Sequence, residues 1–161
     1  MTPEVVPWPL RPASPADEAE VLELTSEYYA FDHIPFDAAE LRQALGRLLA
    51  EPALGQVFLI GGEGGETAGY LTLTYGFDLE FGGQQATITD LYLRPAYRGD
   101  GLGRASLAAL ETVCTRLGIG ALELQVERGN LAAQAFYLGL GFQPHDRLPM
   151  SKRLEVRHVP A

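Results

Sequence analysis

A chain of 161 residues is long enough for one domain with a real core. Its 47% hydrophobic and 20% charged residues match an ordinary soluble protein, and a net charge of −9 excludes the basic face that nucleic-acid phosphates require. One cysteine, Cys114, leaves no intramolecular disulfide and no multi-cysteine metal site.

The opening MTPEVVPWPLRP has neither a basic start nor an apolar middle, so no signal peptide is expected. No apolar run approaches the ~20 residues of a membrane span. A cytoplasmic location without membrane contact follows as the expectation. EVVPWPLRPA (4–13) reads as an edge strand that tolerates its prolines. A helix is predicted over 14–31, with Ser14 as N-cap, Pro15 in first position and Val21, Leu24, Tyr28 and Phe31 on one face. DHIP breaks it. A second helix starts at Asp37 and carries the stripe Leu41, Leu45, Leu48 and Leu49.

GQVFLIGG (55–62), TAGYLTLTYGFDLEF (67–81) and ATITDLYLRP (86–95) read as strands separated by turns at EGGE and GGQQ. A helix to about Leu117 follows, then a strand in GIGALELQV and a helix in NLAAQAFYLGL. GFQPH (141–145) and MSKRLEV (150–156) are expected as closing strands. The order is β-α-α-β-β-β-α-β-α-β-β, an α/β or α+β mixed sheet with helices on its faces. The strand–helix–strand unit Ala86 to Val126 suits the crossover that parallel strands require.

The segment RPAYRGDGLGRASLAAL places Arg98, Gly99, Gly101 and Gly103 at the mouth of a helix. A helix N-terminus has unpaired N–H groups and roughly +0.5 charge. Glycines there allow φ > 0 and close backbone approach, which makes an anion cradle. The P-loop pattern is absent, since no Lys-Ser/Thr pair follows Gly103. The dinucleotide fingerprint fails too, because Gly101 and Gly103 lead to Ser106. Taken alone, the glycines read equally as a tight turn.

The segment DLYLRPAYRGDGLGRASL resembles the coenzyme-A signature of the GNAT superfamily of N-acetyltransferases, with Arg98-x-x-Gly101-x-Gly103 behind a strand ending Leu91-Tyr92-Leu93. NLAAQAFYLGLGF resembles that family's second signature, through Asn130, Ala133, Phe136, Tyr137, Gly141 and Phe142. LRPASPADEAEVLEL is similar to its first strand and helix. The likeness covers nearly the whole chain and implies a single domain over 1–161. The implied fold is a mostly antiparallel sheet of about seven strands, splayed between strands 4 and 5, with about four helices. YGFDLEFGG and ITDLYLRPAYRG are similar to members that acetylate polyamines and other small amines.

The resemblance implies acetyl-CoA as cofactor. The amides of Arg98, Gly99, Asp100, Gly101, Leu102, Gly103 and Arg104 would hold its pyrophosphate. Leu91, Tyr92 and Leu93 would line the pantetheine, with Leu93 N–H polarising the thioester carbonyl, an interaction worth roughly 3–4 kcal/mol. A bulge is expected near Leu91–Leu93. Asp100 departs from the basic or polar residue that many members carry. Asn130, Ala133, Phe136 and Tyr137 would also touch the cofactor, and Tyr137 would protonate the leaving thiolate. Without the motif, Phe136 and Tyr137 read as core aromatics and Asn130 as an N-cap.

A general base is harder to place. Thr87 and Thr89 occupy positions where a glutamate might be sought, and Asp90 is the carboxylate of that strand. Strict alternation puts Asp90 on Ile88's face, which a bulge would change. Asp78 and Glu80 on the preceding hairpin are alternatives, or a solvated face. An acceptor pocket is expected between the first two helices and the splayed strands. EYYAFDHIPF supplies Glu27, Tyr28, Tyr29, Asp32 and His33 for it, aromatics and acids that suit a protonated amine. Tyr28 also reads as core and His33 as an ordinary loop residue. The expected activity is acyl transfer to a primary amine of a small cationic molecule, by direct attack in a ternary complex. Acetylation of a protein or peptide, a non-catalytic acyl-CoA-binding module and a role in an oligomer, such as a homodimer, are the alternatives. No metal is expected.

Overall fold

The structure is a computed structural model that describes residues 5–156. The chain divides into two compact units, with the boundary between Gln125 and Val126.

The first unit holds a five-stranded sheet in the order β1-β2-β3-β4-β5. The strands are β1 (Leu10–Pro12), β2 (Gly55–Gly61), β3 (Thr67–Asp78), β4 (Gly83–Leu93) and β5 (Ala121–Leu124). Neighbours are antiparallel except β4 and β5, which run parallel and pair from Gln85↔Ala121 to Ile88↔Leu124. Parallel strands need a crossover. The helix α3 (Leu102–Arg116) supplies it.

Two helices, α1 (Glu18–Phe31) and α2 (Ala38–Ala50), lie between β1 and β2 in sequence. Asp37 caps α2 by accepting from Ala39 N–H at 3.0 Å and Glu40 N–H at 2.9 Å, which satisfies two otherwise unpaired donors. Ser14 and Pro15 instead open a short 3-10 turn, Pro15–Asp17, that leads into α1. Val21 and Leu24 of α1, Leu45 of α2, Val57 and Leu59 of β2, Tyr70 of β3 and Tyr92 of β4 form one buried cluster. Alternation sends Phe58, Ile60, Leu71 and Leu73 to the other face, where they are equally buried. There α3 buries Leu107, Leu110 and Cys114, and Cys114 lies near enough to Tyr75 to help raise its phenol pKa.

β4 outruns β5. Beyond Ile88 the residues Thr89–Leu93 have β3 on one side and no partner on the β5 side. This is the splay expected between strands 4 and 5. The bulge lies earlier than expected. Leu73 pairs with Ile88 but Thr72 pairs with Asp90, so Thr89 is the extra residue.

In the second unit, α4 spans Leu131–Gly139. Asn130 caps it, its side chain accepting from Ala133 N–H at 3.1 Å. The segments 141–145 and 150–156, expected as strands, form none. Pro144 and Pro149 remove ladder donors there. Leu148, Met150, Leu154 and Val156 stay exposed. The first predicted strand contracts to Leu10–Pro12, and its Glu4 lies outside the described residues. The fold is therefore a mixed α/β one, with five strands among the described residues rather than the expected seven.

Candidate active site

The glycine segment comes directly from the open end of β4. A 3-10 turn at Pro95–Tyr97 leads to Gly99 and Gly101, at φ of 90° and 84°, and Gly101 is the N-cap of α3. A Cβ built at either glycine meets nothing within 4 Å, so the concave side is open. No side chain caps α3. The first helical bond runs from Ala105 N–H to Gly101 O, at 3.0 Å. Among the described residues, the amides of Gly99, Asp100, Gly101, Leu102, Gly103 and Arg104 therefore donate to no protein acceptor. Successive unpaired amides at the end of a long helix suit an anion.

Arg98 differs from the other residues of its motif. Its N–H bonds Pro95 O at 3.3 Å. Its Nε donates to Leu93 O at 2.8 Å, and its guanidinium lies 4.6 Å from the Phe31 ring centroid and 5.6 Å from that of Tyr92. The arginine thus ties the glycine segment to the ends of β4 and α1.

Arg94 N–H bonds Ala68 O on β3 at 2.9 Å. Backbone groups alternate along a strand, so Leu93 and Leu91 turn their N–H groups to the open edge, while Tyr92 turns its own toward β3. Tyr92 is buried and its hydroxyl donates to Glu27 Oε2 at 3.3 Å.

The bulge at Thr89 decides where Asp90 points. Opposite Thr72, it shares a face with Tyr70 and Tyr92 and not with Ile88. Its Oδ2 accepts from Tyr70 Oη at 3.1 Å and from Tyr29 Oη at 3.5 Å. Burial pushes the Asp90 carboxyl above its usual value, and the two hydroxyls offset part of that. Burial, then the charge of Asp90, pushes Tyr29 up to about 12, and Tyr70 rises still further for the same reasons.

The acids expected to meet a cationic acceptor are not gathered together. Glu27 is held by Arg94, whose Nε and Nη2 donate to it at 3.2 Å and 3.1 Å. Tyr28 packs against Tyr92 at 5.6 Å and Tyr70 at 6.5 Å, as part of the core. Asp32 ends α1, and His33 follows in the left-handed region at φ 55°. Asp78 accepts from Glu80 N–H at 2.8 Å in the β3–β4 turn. That turn lies about 20 Å farther along β3 than Thr72, at ~3.3 Å per residue.

Within the second unit, Tyr137 is half-buried against Phe136 at 5.2 Å and Phe142 at 5.6 Å, and burial raises its pKa. Ala133 lies in the first turn of α4 beside its cap Asn130. Cys114 is buried and its thiol is pushed up to about 11, so it is a poor nucleophile.

The sequence reading missed Tyr70, Arg94 and Phe31 as partners of the site. Tyr70 read as one more strand residue, because its link to Asp90 depends on the bulge.

Comparison with known proteins agrees with this chemistry. Aminoglycoside N(6')-acetyltransferase type 1 of Stenotrophomonas maltophilia is 29% identical over 142 residues, which cover 86% of this chain and 88% of that one. An uncharacterized N-acetyltransferase of Bacillus subtilis (strain 168), YycN, is 41% identical over 71 residues, 44% of this chain and 45% of that one. The crystal structure of an integron cassette protein from the mobile metagenome of Cole Harbour Salt Marsh has a TM-score of 0.80 at 30% identity, over 98% of this chain and 97% of that one. The model of the Acetyltransferase (GNAT) family matches residues 18–142. That span takes in β2 to β5, the glycine segment and α4, so the chain belongs to the GNAT acetyltransferase family and is an acyl-CoA N-acyltransferase.

Proposed function

We propose that the protein transfers an acetyl group from acetyl-CoA, the cosubstrate of its family, to a primary amine of a small cationic molecule, by direct attack in a ternary complex. The observation that carries this reading is the overhang of β4. The five residues beyond β5 hold a half-buried carboxylate and open-edge amides, and the glycine segment leads from them to a helix with no side-chain cap.

The open cradle fits a pyrophosphate. The amides of Gly99 to Arg104 would hold it, with positive φ at Gly99 and Gly101 keeping side chains out of the way. Leu91 and Leu93 N–H would pair with the pantetheine arm. Leu93 N–H would also face the negative charge that develops on the acyl oxygen. Asn130, Ala133, Phe136 and Tyr137 would complete the contacts by family resemblance. When bound, acetyl-CoA supplies the activated acyl carbon and a thiolate leaving group.

Asp90 would accept the amine's proton through water, and its raised pKa makes it a better base than an exposed carboxylate. The new C–N bond forms as the C–S bond breaks. Tyr137, whose phenol burial pushes above its usual pKa, would give its proton to the departing sulfur. The half-buried ring of Tyr29 and the exposed ring of Phe36, 5.8 Å apart, and the net charge of −9 support a cationic acceptor. The aminoglycoside-acetylating relative supports the same class, because aminoglycosides carry several ammonium groups.

The test is thiol release from acetyl-CoA with a panel of polyamines, aminoglycosides, neutral amines, amino acids and peptides. Turnover confined to cationic small amines supports the reading. Turnover confined to peptides or acidic acceptors would sink it.

A further inference from the structure

We infer that Tyr29 and Tyr70 are positioning residues for Asp90, two hydroxyls on two elements that hold its Oδ2 so that Oδ1 is left to take the acceptor's proton. This rests on the reading of Asp90 as the general base.

Three elements converge on one carboxylate oxygen. Tyr29 reaches it from α1 and Tyr70 from β3, while the bulge at Thr89 brings Asp90 onto that face of β4. Two donors from different directions fix the plane of a short side chain that would otherwise rotate. Oδ1 has no protein partner among the described residues. No fully enclosed side-chain oxygen or nitrogen among them lacks a partner, so Oδ1 is within reach of solvent. The carboxylate is thus held at one end and open at the other. A purely structural group at this place would gain from having both oxygens bonded or from being apolar.

The surroundings contain few competing charges. Thr25 of α1 lies against Tyr70, and Thr72 lies across the ladder from Asp90. Tyr92, next on this face of β4, gives its hydroxyl to Glu27, which Arg94 neutralises. Among the described residues no cation lies beside Asp90. The two phenols therefore provide the stabilisation of its charged form, and removing either should make the carboxylate harder to ionise.

The experiment uses the full chain labelled with 13C at the aspartate carboxyls, with the Asp90 resonance identified by its loss in Asp90→Asn. Tyr29→Phe and Tyr70→Phe should each move the Asp90 titration upward in pH, and Tyr75→Phe, on the opposite face, should leave it in place. Tyr29 is half-buried, so Tyr29→Phe keeps the test open even if the fully buried Tyr70 tolerates no change. With acetyl-CoA and a 6′-amino aminoglycoside, the acid limb of kcat/KM in Tyr29→Phe should shift by the same interval as the titration. An Asp90 titration unmoved in the tyrosine variants overturns the inference, and it needs no acceptor to be read. A wild-type acid limb persisting in Asp90→Asn would instead overturn Asp90 as the base.

Discussion

Asp90 stands opposite Thr72 across the β3–β4 ladder, although Ile88, two places earlier, stands opposite Leu73. One inserted residue therefore carries a carboxylate from the α3 side of the sheet to the α1 side. Burial there raises its pKa. A group with a raised folded pKa favours folding below its unfolded pKa, and that contribution is lost as pH rises through the folded pKa. Ionising Asp90 in the folded chain therefore costs stability. Asp90→Asn should raise Tm at neutral pH, with the gain disappearing at or below the ordinary aspartate pKa of about 3.9. The same change should lower kcat by roughly 10²–10⁴-fold. Calorimetry at both pH values, beside turnover, checks this; a lower Tm at neutral pH would contradict it.

Gly101 tests the cradle. At φ 84° a side chain is strained by roughly 1–2 kcal/mol, yet it would project into open space. Gly101→Val should lower the Tm of the protein alone by a few degrees, about 2–4 °C per kcal/mol in a chain of this size. It should also abolish the upward shift that acetyl-CoA gives the wild type. A variant that keeps the full ligand-induced shift would place the pyrophosphate elsewhere.

Burial pushes the Tyr137 phenol above its usual pKa, which keeps its proton available to a leaving group. Tyr137→Phe should keep the affinity for coenzyme A, measured by calorimetric titration, and reduce kcat by roughly 10²-fold. Undiminished turnover would make it a packing residue between Phe136 and Phe142.

Asp78 and Glu80 lie in the hairpin turn, about 20 Å along β3 from the residue facing Asp90. Charges at that range act through the field of the whole molecule and are screened over about 10 Å at 0.1 M salt. Neutralising both should raise KM for a cationic amine at low ionic strength, leave kcat unchanged, and have no effect at physiological salt. A KM effect that survives high salt would put them in direct contact with the acceptor.

The elements that were legible in the sequence are those whose signals are local. Asp37 announced α2, and the glycines announced the mouth of α3, because caps and positive φ are written in single residues. The runs GQVFLIGG and TAGYLTLTYGFDLEF marked β2 and β3, because the turns at EGGE and GGQQ bound them. The face of Asp90 was not legible, since it depends on how two strands align and on one residue left out of the ladder. Glu27 illustrates the same limit from the other side. Its acidity suggested a receptor for cations, and nothing local revealed that Arg94, just past the end of β4 and far along the chain, already matches its charge. The last two strands failed for a simpler reason. Apolar residues at 148–156 imply strands only where a ladder partner exists, and prolines interrupt the approach.

The bulge at Thr89 also divides β4 into two stretches with opposite phase. Up to Ile88, the side chains buried toward α3 are Ala86 and Ile88. From Asp90 onward the even positions, Asp90 and Tyr92, belong to the α1 side. A saturation map of tolerated substitutions along this strand should alternate with a period of two residues and slip by one at Thr89. The first stretch would report on folding and the second on catalysis. A second slip, introduced by inserting or deleting one residue between Asp90 and Leu93, would put the carboxylate and the open-edge amide out of step while leaving the lower half of the strand intact.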